Sequence, residues 1–95
     1  MSDALGKAAE MLKAKMQGQD FDGSVKFTVE GMGAIMVDAG GVRVEDGEAE
    51  VTIAATLDTF QDLFGGDLDP TEAFMTGKIS VDGDMGAAMK LVQYL

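Results

Sequence analysis

The chain has 95 residues, no Cys and no His, and its 17 acidic residues against 7 basic ones give a formal net charge of −10. Without Cys there is no disulfide framework, no thiolate nucleophile and no thiolate metal ligand. Without His there is no imidazole for a catalytic triad, a proton shuttle or a zinc site. A catalyst in this chain would have to rely on carboxylates, Lys or Tyr alone. That acid-only enzyme stays an alternative, and we expect instead a non-catalytic protein without a metal ion or other cofactor.

The acidic residues are concentrated in the middle of the chain. Residues 38–72 carry ten acidic residues against the single basic residue Arg43, a net charge of −9. Such a surface repels phosphate backbones, so we expect no nucleic-acid partner. It also repels anionic membranes, so we expect at most transient membrane contact, through Lys7, Lys13 and Lys15 near the N-terminus. The plainest interpretation of the acidity is a solvated surface.

The length and the apolar content indicate one globular domain. Hydrophobic residues make up 46% of the chain, which is ordinary for a folded protein and too high for a disordered one. No apolar run approaches the roughly 18–20 residues of a membrane span, and the first residues do not resemble a signal peptide. We expect a single domain over residues 1–95, located in the cytoplasm.

The first half of the sequence predicts one helix followed by four strands. Apolar residues at spacings of three and four predict a helix over residues 2–17. Residues 24–30 alternate, with Val25, Phe27 and Val29 on one face, which is typical of a strand with one solvated side. Residues 34–38 are apolar on both faces and are predicted to form an internal strand. Residues 42–45 and the alternating residues 48–56 give the third and fourth strands.

The second half predicts three helices and a fifth strand. A helix from Leu57 ends at Gly65-Gly66, and Asp69-Pro70-Thr71-Glu72 is typical of a helix start. Gly77 ends that second helix, and residues 78–82 alternate as a strand. Asp84 is predicted to cap a last helix, whose apolar stripe comprises Met85, Ala88, Met89, Val92 and Leu95. Together the elements predict an α+β domain in which helices cover one face of a sheet.

Short motifs that suggest catalysis or ion binding are better explained as turns and caps. Gly31-Met32-Gly33 lacks the third glycine and the following helix of a dinucleotide-binding loop. Residues 20–23 resemble the start of an EF-hand loop, but the later ligands are missing. The carboxylate pairs in residues 58–62 and 67–69 lie in segments that are dense in turn and cap signals.

Large apolar residues are concentrated in the last 36 residues. They are Phe60, Leu63, Phe64, Phe74, Met75, Met85, Met89 and Val92. A plain hydrophobic core explains any one of them. Methionine is also flexible and polarisable, and it suits adaptable binding surfaces, so a lipid-sized cavity remains the second interpretation.

The run FMTGKISVDGDMGAAMKL, residues 74–91, resembles the C-terminal signature of the sterol carrier protein 2 family. In that family a helix with an aromatic residue leads through Gly-Lys into a strand, and a glycine turn precedes a Met-Gly-x-Ala-Met-Lys-Leu helix. Residues 48–56 look like the family's fourth strand. The order of elements agrees over nearly the whole chain, although the N-terminal two thirds match mainly in pattern.

This resemblance implies a fold and a function. The fold is a five-stranded sheet with helices packed on one face and a hydrophobic tunnel between them. The function is non-catalytic carriage of a fatty acid, fatty acyl-CoA, sterol or isoprenoid lipid. Carried over by position, the tunnel residues of the helices would be Phe60, Phe64, Phe74, Met75, Met85, Ala88, Met89 and Val92. The floor of the tunnel would include Phe27, Ile35 and Ile53 of the sheet, which are assigned by alternation only.

The residues also allow a function of another class. An accessory or dimerisation module would use the same apolar groove to bind a protein partner or a second copy of the chain. The two hypotheses differ in their partners, since the first requires a lipid or acyl-chain ligand and the second a polypeptide. A homodimer is compatible with both.

Overall fold

The computed structural model describes residues 4–16 and 23–92, apart from the side chain of Val92. In chain order its elements are α1 (Ala4–Lys15), β1 (Val25–Val29), β2 (Gly33–Asp38), β3 (Gly41–Val44), β4 (Val51–Ala55), α2 (Leu57–Gly65), α3 (Pro70–Met75), β5 (Ser80–Gly83) and α4 (Met85–Val92). The predicted order of helices and strands and the α+β class are confirmed. Of the turn predicted at residues 20–23 only Gly23 belongs to the described residues, and the end of the apolar stripe at Leu95 lies outside them.

The five strands form one mixed sheet in the order β3-β2-β1-β4-β5. β2 lies between β3 and β1, as its apolar character on both faces predicts. β1 pairs antiparallel with β2, and Phe27 lies opposite Ile35. On its other side β1 pairs in parallel with β4, and Phe27 lies opposite Ile53. The remaining pairs, β2–β3 and β4–β5, are antiparallel.

Local capping explains where the middle helices begin and end. The Thr56 side chain accepts a hydrogen bond from the Thr59 N–H at the start of α2, and Gly66 ends that helix in the left-handed conformation. At the start of α3 the Asp69 side chain accepts from the Thr71 N–H, and Pro70 occupies the first turn. These are the signals that the sequence provides for helix boundaries.

One face of the sheet carries the hydrophobic core. Phe27 at the centre of β1 meets the rings of Phe60 and Phe64 edge-to-face, with ring centroids 5.4 Å apart in both pairs. Phe60 and Phe64 stack on each other at 5.5 Å. All four helices contribute buried residues to this core, so the prediction of helices packed on one face is confirmed.

The opposite face of the sheet is crossed by the segment that joins β3 to β4. β3 and β4 are both parallel to β1 and are separated by β2 and β1, so residues 45–50 must cross one face. Lys26, on the face away from the helices, donates a hydrogen bond from Nζ to Oδ1 of Asp46 at 3.1 Å. Ala34 and Met36 are buried on this side, outside the main core.

Two strands begin two or more residues later than predicted, whereas the other strand limits agree within one residue. Residues 48–50 alternate like a strand, but they belong to the crossing segment, so β4 begins only at Val51. The fifth strand was predicted from residue 78, but it begins at Ser80. The N–H groups of Lys78 and Ile79 instead donate to the Ala73 carbonyl oxygen, at 2.8 and 3.3 Å, and complete the end of α3.

The apolar stripe predicted for α4 is confirmed at Ala88, which is buried, and is wrong at Met85 and Met89, which are not. The buried residues of this helix are Ala87, Ala88 and Leu91, whereas Met85 and Met89 are exposed. Because α4 is apolar at nearly every position, several of its faces could contact the sheet. The face with the small alanines packs closely on β1, β4 and β5. The rotation of the helix therefore leaves the two methionines at its side, along the edge of α3.

Candidate functional site

An apolar cleft lies where α3 and α4 pass over the β4–β5 edge of the sheet. Its floor is formed by Ile53 and Val81, which pair across β4 and β5, and by Ile79 just before β5. Its two sides come from α3 and α4, through Pro70, Thr71, Phe74, Met85, Ala88 and Met89. The cleft volume is about 100 Å³, below the roughly 300–1,000 Å³ of typical small-molecule sites.

The mouth of the cleft is unusually apolar for a protein surface. Phe74, Met85 and Met89 line the cleft and are still 47%, 46% and 60% exposed, respectively. Met75, next to Phe74 on α3, is 79% exposed. Exposed apolar clusters of this kind mark binding surfaces more often than isolated exposed residues do.

The two helices that flank the cleft are held at their N-terminal ends by aspartates. Asp69 Oδ1 accepts from the Thr71 N–H at 3.2 Å, and Asp84 Oδ1 accepts from the Gly86 N–H at 2.8 Å. Both carboxylates therefore satisfy backbone donors that a helix start leaves unpaired. The residues that follow them in the chain, Pro70 and Thr71 after Asp69 and Met85 after Asp84, belong to the cleft wall.

The structure brings together five of the residues predicted from the sequence to contact a ligand. Ile53, Phe74, Met85, Ala88 and Met89 line the cleft. Phe27, Ile35, Phe60 and Phe64 lie in the core instead, where α2 packs its aromatic rings directly against β1. Met75 points to solvent, and the side chain of Val92 lies outside the described part of the chain.

Four residues of the cleft wall were not identified from the sequence: Pro70, Thr71, Ile79 and Val81. The alternation of residues 78–82 places Ile79 and Val81 on one face and was a usable signal. Pro70 and Thr71 were interpreted only as a helix start. That this start lies over the β4–β5 edge depends on tertiary packing.

The described residues show no arrangement suited to catalysis by metals. No group of three or more Asp or Glu residues within 4–16 and 23–92 is placed to hold a metal ion. Across the same residues, no helix has both the length and the apolar character needed to cross a membrane.

A perturbed ionisable pair lies far from the cleft, at the β2–β3 hairpin. The Arg43 guanidinium donates to both carboxylate oxygens of Asp38, each at 2.9 Å. These hydrogen bonds, with a further one from the Gly40 N–H, hold the pKa of Asp38 below its usual value of 3.8. The pKa of Arg43 is raised by its hydrogen bonds to Asp38 and Glu45. Because the pair fixes a hairpin at the sheet edge, we interpret it as structural.

Residues 3–95 match the model of the SCP-2 sterol transfer family. Among curated proteins, the chain is 48% identical over 44 residues to hydroxysteroid dehydrogenase-like protein 2 of Danio rerio. The aligned segment covers 46% of this chain and 11% of the relative. The chain thus corresponds to about a tenth of the length of that relative.

Solved structures share the fold over nearly the whole chain. The crystal structure of sterol carrier protein 2 like 2 from Aedes aegypti has a TM-score of 0.81 at 22% identity, covering 97% of this chain and 96% of that one. The solution structure of palmitated SCP2L2 from Aedes aegypti has a TM-score of 0.71 at 20% identity, covering 98% and 93%. At these identities the likeness establishes the architecture alone.

Proposed function

Because the chain belongs to the SCP-2 sterol transfer family, we propose that it binds and carries a hydrophobic ligand in the cleft between α3, α4 and the β4–β5 edge. The candidate ligands are a fatty acid, a fatty acyl-CoA, a sterol or an isoprenoid lipid. The observation that carries the proposal is the apolar wall, whose Phe74, Met85 and Met89 remain exposed to solvent. Covering such a surface with an alkyl chain releases about 25 cal/mol per Å².

The proposed activity is carriage rather than catalysis. The dehydrogenase name of the relative belongs to a protein of which this chain spans 11%, and the chain has neither His nor Cys. The palmitated neighbour supports an acyl chain as one ligand of this fold. We propose further that residues 1–95 act as one lipid-binding domain in the cytoplasm, with at most transient membrane contact.

A long alkyl chain requires the cleft to widen. A cavity of about 100 Å³ is smaller than the engineered apolar cavity of about 150 Å³ that admits benzene. α3 is the wall that we expect to move, because it has six residues and buries only Pro70 and Ala73. Gly66 before it and Gly77 after it both have positive φ angles, 86° and 78°. An opening of α3 would extend the cleft toward the tunnel that the family resemblance implies.

The experiment compares two methionine variants in binding a neutral probe, a 12-carbon alkyl chain labelled with pyrene. Met89→Glu places a carboxylate on the cleft wall, and we expect it to weaken binding by about fivefold or more, because the bound chain would desolvate the charge. Met32→Glu adds the same charge in the β1–β2 turn, where Met32 is 41% exposed, and should leave binding unchanged.

The wild-type protein gives the decisive result. Native mass spectrometry of protein purified from cells should reveal a bound lipid, and fluorescence titration should show saturable probe binding. No bound lipid, no probe binding and a stable dimer in light scattering would contradict the proposal and favour a module that binds polypeptides.

A further inference from the structure

Among the described residues, the wall of the cleft presents no positive group to a charged ligand. None of the nine described residues that line it is charged, and Thr71 is the one polar residue among them. A carboxylate or phosphate drawn into such a wall would lose water without gaining an ion pair or hydrogen bonds in return. The head group must therefore stay at the mouth of the cleft, where the surrounding charges act on it.

At each helix start beside the cleft, one backbone donor is already occupied by an aspartate. The starts of α3 and α4 border the cleft through Thr71 and Met85, and a helix start attracts negative charge. The Asp69 carboxylate already accepts from the Thr71 N–H, and the Asp84 carboxylate from the Gly86 N–H. An incoming anion would therefore meet the Asp69 and Asp84 carboxylates at these helix starts, where uncapped helices present free N–H groups.

The charges next to the wall residues in the chain are mainly acidic. Asp69, Glu72, Asp82 and Asp84 adjoin wall residues, against Lys78 and Lys90. The whole chain carries a formal charge of −10. The local excess of acidic residues is therefore not balanced by an excess of basic residues elsewhere in the chain. At moderate ionic strength, charges within about 8–10 Å act on a ligand head group.

We propose that the cleft selects lipids with an uncharged head group, such as a long-chain alcohol, over lipids of the same chain length that carry a carboxylate. This inference rests on the proposed function and narrows its ligand class. Carboxylates and the phosphates of an acyl-CoA are disfavoured by the two capping aspartates and by the absence of a positive group on the wall.

The experiment measures displacement of the pyrene-labelled alkyl probe by dodecanol and by dodecanoate at pH 8, where the acid is ionised. These competitors share the 12-carbon chain and differ in the charge of the head group. We expect the dissociation constant of dodecanol to be lower than that of dodecanoate by about fivefold or more at 20 mM salt. The preference should shrink at 500 mM salt, because the repulsion is screened.

The matched variant is Asp69→Asn with Asp84→Asn. Asparagine caps helices about as well as aspartate, so both helix starts are kept while two negative charges are removed. We expect dodecanoate to bind more tightly to the double variant and dodecanol to bind as before. Equal affinity for alcohol and acid in the wild type would overturn the inference while leaving carriage intact. Failure of the probe itself to bind would overturn the proposed function as well.

Discussion

At the scale of single residues, Gly83 is a position where the backbone leaves no room for a side chain. It ends β5 opposite Val51 with a φ angle of 116°. An added Cβ would lie against the Glu50 carbonyl oxygen and 2.9 Å from the Val51 Cα. We expect Gly83→Ala to lower the free energy of unfolding by about 2–4 kcal/mol in urea titrations, through strain and overlap with the neighbouring strand.

The matched control for this substitution is Gly77→Ala. Gly77 also has a positive φ angle, 78°, but an added Cβ would meet no atom within 4 Å. That variant should cost about 1 kcal/mol, from the left-handed conformation alone. Equal losses for the two variants would show that the approach of the β4 backbone to Gly83 is not what requires glycine.

Asp38 gives the protein a predictable response to acid. Its pKa is lowered, first by the hydrogen bonds from Arg43, so the folded protein binds this proton more weakly than the unfolded chain does. The stabilisation is therefore present above the unfolded-state pKa near 4 and is lost as the pH falls through the lower folded value. We expect the stability difference between wild type and Asp38→Asn, from urea unfolding, to be larger at pH 6 than at pH 3. In an Arg43→Met background this pH dependence should be reduced.

At the scale of elements, α2 and α3 use phenylalanine for different purposes. Phe60 of α2 is fully buried against Phe27, whereas Phe74 of α3 is 47% exposed at the cleft. Phe60→Ala should lower the free energy of unfolding by about 3–5 kcal/mol, because it opens a core cavity. Phe74→Ala should cost about 1 kcal/mol or less but weaken binding of the pyrene-labelled probe. Equal stability losses would contradict the division between core and binding wall.

Helices α3 and α4 show which structural features local sequence signals predict and which they do not. Asp69, Pro70 and Gly77 predict the limits of α3, because caps and turns depend on neighbouring residues. The sequence does not predict which face of α4 contacts the sheet, because the helix carries apolar residues on nearly all of its sides. Leu91 and Met89 are both suitable core residues by type, and only packing against β4 and β5 buries the first and exposes the second.

At the scale of the whole molecule, the sheet order depends on pairings between distant residues. The antiparallel hairpin of β1 and β2 follows from the turn at Gly31–Gly33. The parallel pairing of β1 with β4 has no local signal, and it requires residues 45–50 to cross the sheet rather than to extend the strand. The resemblance in residues 74–91 supplied the architecture that periodicity alone could not.

The parallel pairing at the centre of the sheet also orders the assembly of the molecule. The β1–β2 pairing joins Val29 to Gly33, four residues apart, whereas the β1–β4 pairing joins Val25 to Val51, 26 residues apart. Closing the 26-residue loop costs about 1.7 kcal/mol more in chain entropy than closing the four-residue loop. Every described residue of the cleft wall lies between Ile53 and Met89, beyond that long closure. We therefore expect the hairpin of β1 and β2 to form first in folding and the cleft to be completed after it.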